Sequence, residues 1–158
     1  MNGGNYMRMR FSAGEVLDRV FLLSELLAGS AQGAAASYGL TFPRLQVLFV
    51  LGHEGELMQR DIAHHLDCSP RHVTALVDAL VESGHVVRIT PAEDRRVRLV
   101  SLTERSRRIL DEVFAARAAL AASMFEGIDD DELQAFGALS ERLIVRMGGP
   151  TLSRLSGA

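Results

Sequence analysis

The sequence predicts a mainly α-helical fold carrying one small β-hairpin. Three observations lead there. Apolar residues recur at helical spacing through most of the chain, for example Val73, Leu76, Val77, Leu80 and Val81 at i, i+3, i+4, i+7 and i+8. Two β-branched runs, residues 86–89 and 97–102, flank a charged loop that Pro91 breaks. The chain has 158 residues, 47% of them apolar, with no tryptophan and an abundance of leucine, valine and alanine, enough for one domain (1–158) with a real core.

The elements follow in order. Residues 1–10 read as a frayed arm. Ser12, with Glu15 three positions on, forms a capping box, and Phe11 and Val16 are placed to staple it. Val16, Val20, Leu23 and Leu27 make one apolar stripe, widened by Leu17, Phe21 and Leu26, a width that suits a helix shared between subunits. Residues 28–39, rich in alanine, glycine and serine, loosen toward a turn. Thr41 caps the next helix, Pro43 sits in its first turn, Leu45, Leu48, Phe49 and Leu51 supply core, and Gly52 and Gly55 break it. Leu57 and Met58 add a short third strand. Residues 59–66 form a short helix with Ile62, Ala63 and Leu66 on one face, and residues 67–69 turn.

Ser69 is a good N-cap, because its hydroxyl can accept from an otherwise unpaired N–H, and Pro70 at the first helical position loses nothing by lacking one. Gly84 stops that helix. A short helix, a turn, a capped helix and a hairpin, in that order, make a winged helix-turn-helix over residues 41–103. Thr103 then opens a long, alanine-dense helix to about Phe125, which Gly127 ends. Asp129 with Glu132 caps the last helix, whose stripe is Leu133, Phe136, Leu139, Leu143, Ile144 and Met147, and Gly148, Gly149 and Pro150 terminate it. One copy of the chain cannot hide the stripes of its first helix (11–38) and last two (104–147), so pairing with a second copy is expected.

The formal charge is −3, which taken alone speaks against nucleic acid. Its distribution reverses that. Residues 57–108 hold nine arginines against seven acids, while the rest of the chain holds eight against thirteen. A local basic patch, not the overall charge, is what phosphate requires. A merely solvated arginine face is the bland alternative, and the neighbouring capped helix weighs against it.

The run Asp94-Arg95-Arg96-Val97-Arg98-Leu99-Val100-Ser101-Leu102-Thr103 closely resembles the wing signature of the MarR family of bacterial transcriptional regulators, which opens D-x-R and closes L-T. Residues 40–48, 61–66 and 73–80 fit the same family, and the resemblance spans about residues 12–147. It implies a homodimer whose terminal helices interlock, and double-stranded DNA as partner. It also implies that Arg96 reaches a minor groove while Asp94 clamps that guanidinium by a salt bridge, and that small phenolic or anionic effectors bind between the dimer helices and the winged module. Tyr38, Phe42, Arg44 and His53 stand near that implied cleft; none is assigned to a ligand.

A helix end entering a major groove touches bases with its first turns, which singles out Ser69, Pro70, Arg71, His72, Thr74 and Ala75. Arg71 can pair bidentately with guanine, His72 can donate to a base edge or phosphate, and Thr74 and Ala75 can meet a thymine methyl. Ser69 and Gln59 suit phosphate oxygens, as do Arg95 and Arg98, with Arg88 a weaker candidate. The family often has arginine where Ala75 and Ala79 stand, and Asp78 and Glu82 lie further along, so this helix is less basic than usual. A two-fold dimer would set two such helices about 10 bp apart on a roughly palindromic operator.

Other chemistry finds no support. Adjacent His64 and His65 point about 100° apart on a helix and cannot chelate one ion. His53-Glu54 lacks a second histidine, and residues 129–132 lack the spacing of a calcium loop. Cys68, the single cysteine, sits in the helix-helix turn, where a small apolar residue packs, and residues 12–27 contain none for peroxide sensing. No phosphate loop or nucleophile elbow is present, so no enzyme and no cofactor are expected. The chain shows neither a signal peptide nor a run of about 18 apolar residues, so no membrane and a cytoplasmic location are expected. The resulting expectation is a ligand-responsive homodimeric repressor; the alternative is a winged-helix protein-interaction module without DNA binding.

Overall fold

Helices take up most of the chain in the computed structural model, which describes residues 10–149 except Glu93 and Arg95. In chain order the elements are α1 (Ala13–Ser37), α2 (Phe42–Glu54), β1 (Leu57–Met58), α3 (Gln59–His65), α4 (Pro70–Glu82), β2 (Val86–Ile89), β3 (Leu99–Leu102), α5 (Glu104–Met124) and α6 (Asp130–Arg146). They fall into two compact units, Met1–Leu45 and Gln46–Ala158.

In the first unit α1 starts at the expected capping box. Ser12 Oγ accepts from the Glu15 N–H at 3.3 Å, and Glu15 Oε2 accepts from the Ser12 N–H at 2.8 Å. The hydrogen bonds from the Ser12 backbone and hydroxyl hold the Glu15 carboxyl below its ordinary range. Phe11 and Val16 are both partly exposed, and the Phe11 ring lies 4.2 Å from the Arg19 guanidinium.

Nor does α1 loosen after Ala28. It runs on to Ser37, because the alanines at 31 and 34–36 have the highest helix propensity and no proline interrupts them, which outweighs Gly29 and Gly33. It ends in a Schellman turn: Leu40 N–H donates to Ala35 O and Gly39 N–H to Ala36 O, with Gly39 at φ +69°.

In the second unit Gly52 does not break α2, which continues to Glu54 and stops at Gly55 (φ +83°). A Cβ on Gly52 would stand 2.6 Å from Leu110 Cδ1, so a side chain there would have to displace the end of Leu110 on α5. The rings of Phe49 and Phe114 pack between the same two helices, centroids 5.6 Å apart.

The sheet has strand order β1-β3-β2, all antiparallel, with Leu57 opposite Val100, Val86 opposite Leu102 and Ile89 opposite Leu99. β3 begins at Leu99, two residues later than the sequence suggests. The Val97 N–H is spent on Asp94 O in a turn and is lost to the ladder. Ile62, Val73, Val77, Leu80, Val86, Val100, Ile109 and Leu110 are buried.

α5 is tied to the end of α4 at its first turn. The Thr103 hydroxyl accepts from Ser106 N–H at 3.4 Å and can give its one proton to Gly84 O or His85 O, each 3.0 Å away. Arg105 Nη1 reaches Ser83 O at 3.3 Å. α6 opens on Asp129, which accepts from Glu132 N–H at 2.8 Å.

Large apolar side chains remain in solvent on both units. On α1 these include Leu17, Phe21, Leu22 and Leu26, and on α5 and α6 Phe114, Phe136, Leu139 and Val145. A shallow apolar groove lined by Phe125, Ile128, Leu133 and Phe136 lies between α5 and α6. No single helix among the described residues is long and apolar enough to cross a membrane.

Two buried positions should respond oppositely to truncation. Leu80 is fully buried, so Leu80→Ala should lower the unfolding free energy by about 2–5 kcal/mol in urea titrations. Ser106 Oγ is buried with no hydrogen-bond partner among the described residues, so Ser106→Ala should leave stability unchanged or raise it by about 1 kcal/mol. A large loss from Ser106→Ala would show that the hydroxyl has a bond the structure lacks.

Candidate nucleic-acid interface

α4 can turn only one face outward, because Val73, Val77 and Leu80 occupy the buried side. Arg71, Thr74, Ala75 and Asp78, at i, i+3, i+4 and i+7, then line a single exposed stripe beginning in the first turn. The N-terminus of that helix is capped as the sequence suggests: Ser69 Oγ accepts from His72 N–H at 3.2 Å and Pro70 holds the first helical position. The left-handed backbone needed to enter it falls on Asp67 (φ +47°), a residue that tolerates that region better than most.

Gln59 and Thr74 are brought together rather than left independent. The Thr74 hydroxyl can donate to Gln59 Oε1 at 3.0 Å or to Pro70 O at 2.9 Å. One proton serves either partner, so the hydroxyl is engaged in the fold and the methyl is the free end of the side chain. Arg71, His72 and Ala75 are exposed.

At the wing, the expected Asp94–Arg96 salt bridge is replaced by a different contact. Asp94 Oδ1 accepts from the Arg96 backbone N–H at 2.9 Å, and Asp94 O accepts from Val97 N–H at 3.2 Å. The carboxylate shapes the turn from within, as an aspartate does in an Asx turn, and does not touch the guanidinium. Arg96 is exposed, with no acid partner among the described residues. Arg95 lies outside the described residues. The Arg98 guanidinium donates to Thr90 Oγ1 across the hairpin.

Most of the other arginines near the wing are already engaged. Arg88 pairs with Asp78, Arg105 bonds Ser83 O, Arg107 bonds Leu102 O at 3.3 Å, and Arg108 faces Glu104 at 3.7 Å. The Arg88–Asp78 pair escaped sequence reading, since ten residues and a helix-to-strand turn separate its members. The only signal was opposite charge on either side of the Gly84 stop.

Comparisons with known proteins bear on the family and the fold. The family model described as MarR family matches residues 38–97. An uncharacterized HTH-type transcriptional regulator of Bacillus subtilis, YfiV, is 39% identical over 70 residues, 44% of each chain. The HTH-type transcriptional repressor MdtR of the same organism is 32% identical over 95 residues, 60% of this chain and 61% of MdtR. The chain thus spans less than two thirds of these two relatives. The crystal structure of CouR from Rhodococcus jostii RHA1 bound to p-coumaroyl-CoA is 31% identical with a TM-score of 0.59, covering 82% of this chain and 90% of CouR.

If Asp94 acts through the turn, Asp94→Ala should speed hydrogen exchange at the Arg96 amide at least several-fold, with a local cost of about 1 kcal/mol. Asp94→Asn, which keeps the accepting oxygen, should restore protection. Equal loss in both variants would contradict the turn-forming role.

Proposed function

The chain belongs to the MarR family, and on that premise we propose that it is a sequence-specific DNA-binding transcriptional regulator. In this reading it is a cytoplasmic homodimeric repressor that binds a roughly palindromic operator and is released by a small phenolic or anionic effector. The observation that carries it is the exposed stripe on α4, which starts at a capped N-terminus and faces outward because the opposite side is core. A helix presented this way enters a major groove with its first turn against base edges.

Roles follow from side-chain chemistry. Arg71 reads guanine and His72 a base edge or phosphate; Ala75 and the free methyl of Thr74 meet thymine methyls. Ser69, Gln59 and Arg98 serve phosphates, with Pro70 fixing the helix start, and Arg95 is assigned the same role from sequence alone. Arg96, free of any acid among the described residues, enters the minor groove, where narrow A-tract stretches attract arginine. Asp94 sets its presentation without touching DNA. Arg88 offsets the charge of Asp78 on the exposed stripe.

The dimer is proposed from the apolar residues left in solvent: stripes of that extent on α1 and on α5–α6 suit burial against a second copy. MdtR carries the name of a repressor, and CouR was solved with p-coumaroyl-CoA, which favours repression and an effector of that class here. Such an effector acts only if it binds the free and DNA-bound arrangements with different affinity.

Two measurements test these assignments. In mobility-shift titrations on the upstream region of its own gene, Arg71→Ala should cost about 1–3 kcal/mol and relax base preference, while Arg96→Ala should weaken binding and flatten its salt dependence. Unchanged affinity and salt slope in Arg96→Ala would remove the wing assignment. In sedimentation runs the chain should be a dimer, and Leu26→Asp, altering a side chain 64% exposed in the single chain, should yield folded monomers. A wild-type monomer at micromolar concentration would end the dimer proposal.

A further inference from the structure

Asp78 closes the stripe that begins with Arg71, two helical turns from it, and so stands on the face proposed to meet DNA. A bare carboxylate there would repel phosphate. It is not bare: Arg88 Nη2 of β2 donates to Asp78 Oδ1. Both side chains remain accessible, Arg88 38% and Asp78 57% exposed, so the pair is screened and weak enough to exchange partners. Arg88 taking a phosphate instead would leave Asp78 unpaired beside the duplex, which makes that exchange unfavourable.

We propose that Asp78 restrains backbone affinity: by occupying the Arg88 guanidinium it withholds one cation from the phosphate backbone and keeps sequence-independent binding low. This deepens the DNA-binding reading and rests on it. Since a phosphate contact strengthens binding about equally on every sequence, withholding one cation lowers affinity and salt dependence together and leaves base preference to the residues that meet base edges. The same pair links the reading helix to the wing strand, so the restraint costs no additional residue.

The test is a mutant cycle read by fluorescence anisotropy on a random-sequence duplex, across about 50–200 mM salt, where each phosphate contact contributes a slope near 0.9. Asp78→Asn should bind this duplex about five- to tenfold more tightly than wild type and steepen the slope by about 0.9. Arg88→Gln should weaken binding to every duplex several-fold, because Asp78 is left uncompensated. The double variant should return to within about twofold of wild type with the wild-type slope, since neither charge then remains. Circular dichroism of each variant establishes that it is folded.

If the double variant stays as weak as Arg88→Gln with a shallower slope, Arg88 is itself a phosphate contact and the proposal is overturned. An unchanged slope in Asp78→Asn overturns it equally. Failure of the wild-type protein to bind any duplex at low salt would instead sink the DNA-binding reading beneath it, so the two failures are told apart by which protein shows them.

Discussion

The burial of one side of α4 is the constraint on which the rest of the molecule depends. Val73, Val77 and Leu80 leave solvent completely, and a helix with three such residues on one face has no rotational freedom left. Their burial is of the kind worth about 1.5–3 kcal/mol per side chain, far more than any exposed hydrogen bond or ion pair on the opposite face can contribute. The outward residues therefore point where the core puts them. The Ser69 cap fixes where the helix starts, and the Thr103 and Arg105 contacts to residues 83–85 fix where it ends. A helix located at both ends and along one side is a rigid template for reading another molecule.

Electrostatics then sorts the arginines. Sequence composition suggests a broad cationic patch around residues 88–108. The structure divides it into guanidinium groups that serve the fold and those left available. Arg105 and Arg107 satisfy backbone carbonyls at the junction of α4, the sheet and α5, where unmatched carbonyls would otherwise accumulate. Arg88 neutralises an acid on the exposed face of α4. Arg71 at the start of α4 and Arg96 at the wing tip remain without an acid partner among the described residues, one for each groove in the proposed complex. The formal charge of −3 is thus a poor guide, because what matters is which cations the fold leaves unspent.

Local signals in the sequence were read well and long-range pairings poorly, for a physical reason. Caps at Ser12, Ser69 and Asp129, the glycine stops at Gly84 and Gly127, and the third strand at residues 57–58 depend on neighbours within a few positions, and the structure has them. Gly52 was misread as a breaker because its reason lies 58 residues away, in the side chain of Leu110. The extension of α1 was missed because glycine and serine suggest loops, while intervening alanines carry the helix past them. Asp94 was assigned to the wing correctly but given the wrong partner, since a carboxylate two residues from an arginine meets its backbone N–H as readily as its guanidinium. The Thr74–Gln59 contact has no local signature, and the Asp78–Arg88 pair has only the opposite charges on either side of Gly84.

A hydroxyl-radical footprint of the intact protein on the upstream region of its own gene tests the central claim most directly. Two blocks of protected sugar-phosphate backbone centred about 10 bp apart are expected, each flanked by a protected minor-groove segment where a wing lies. Protection spread evenly along the fragment, or none at a concentration that gives full dimer, would contradict a reading helix and a wing held in register by one folded module.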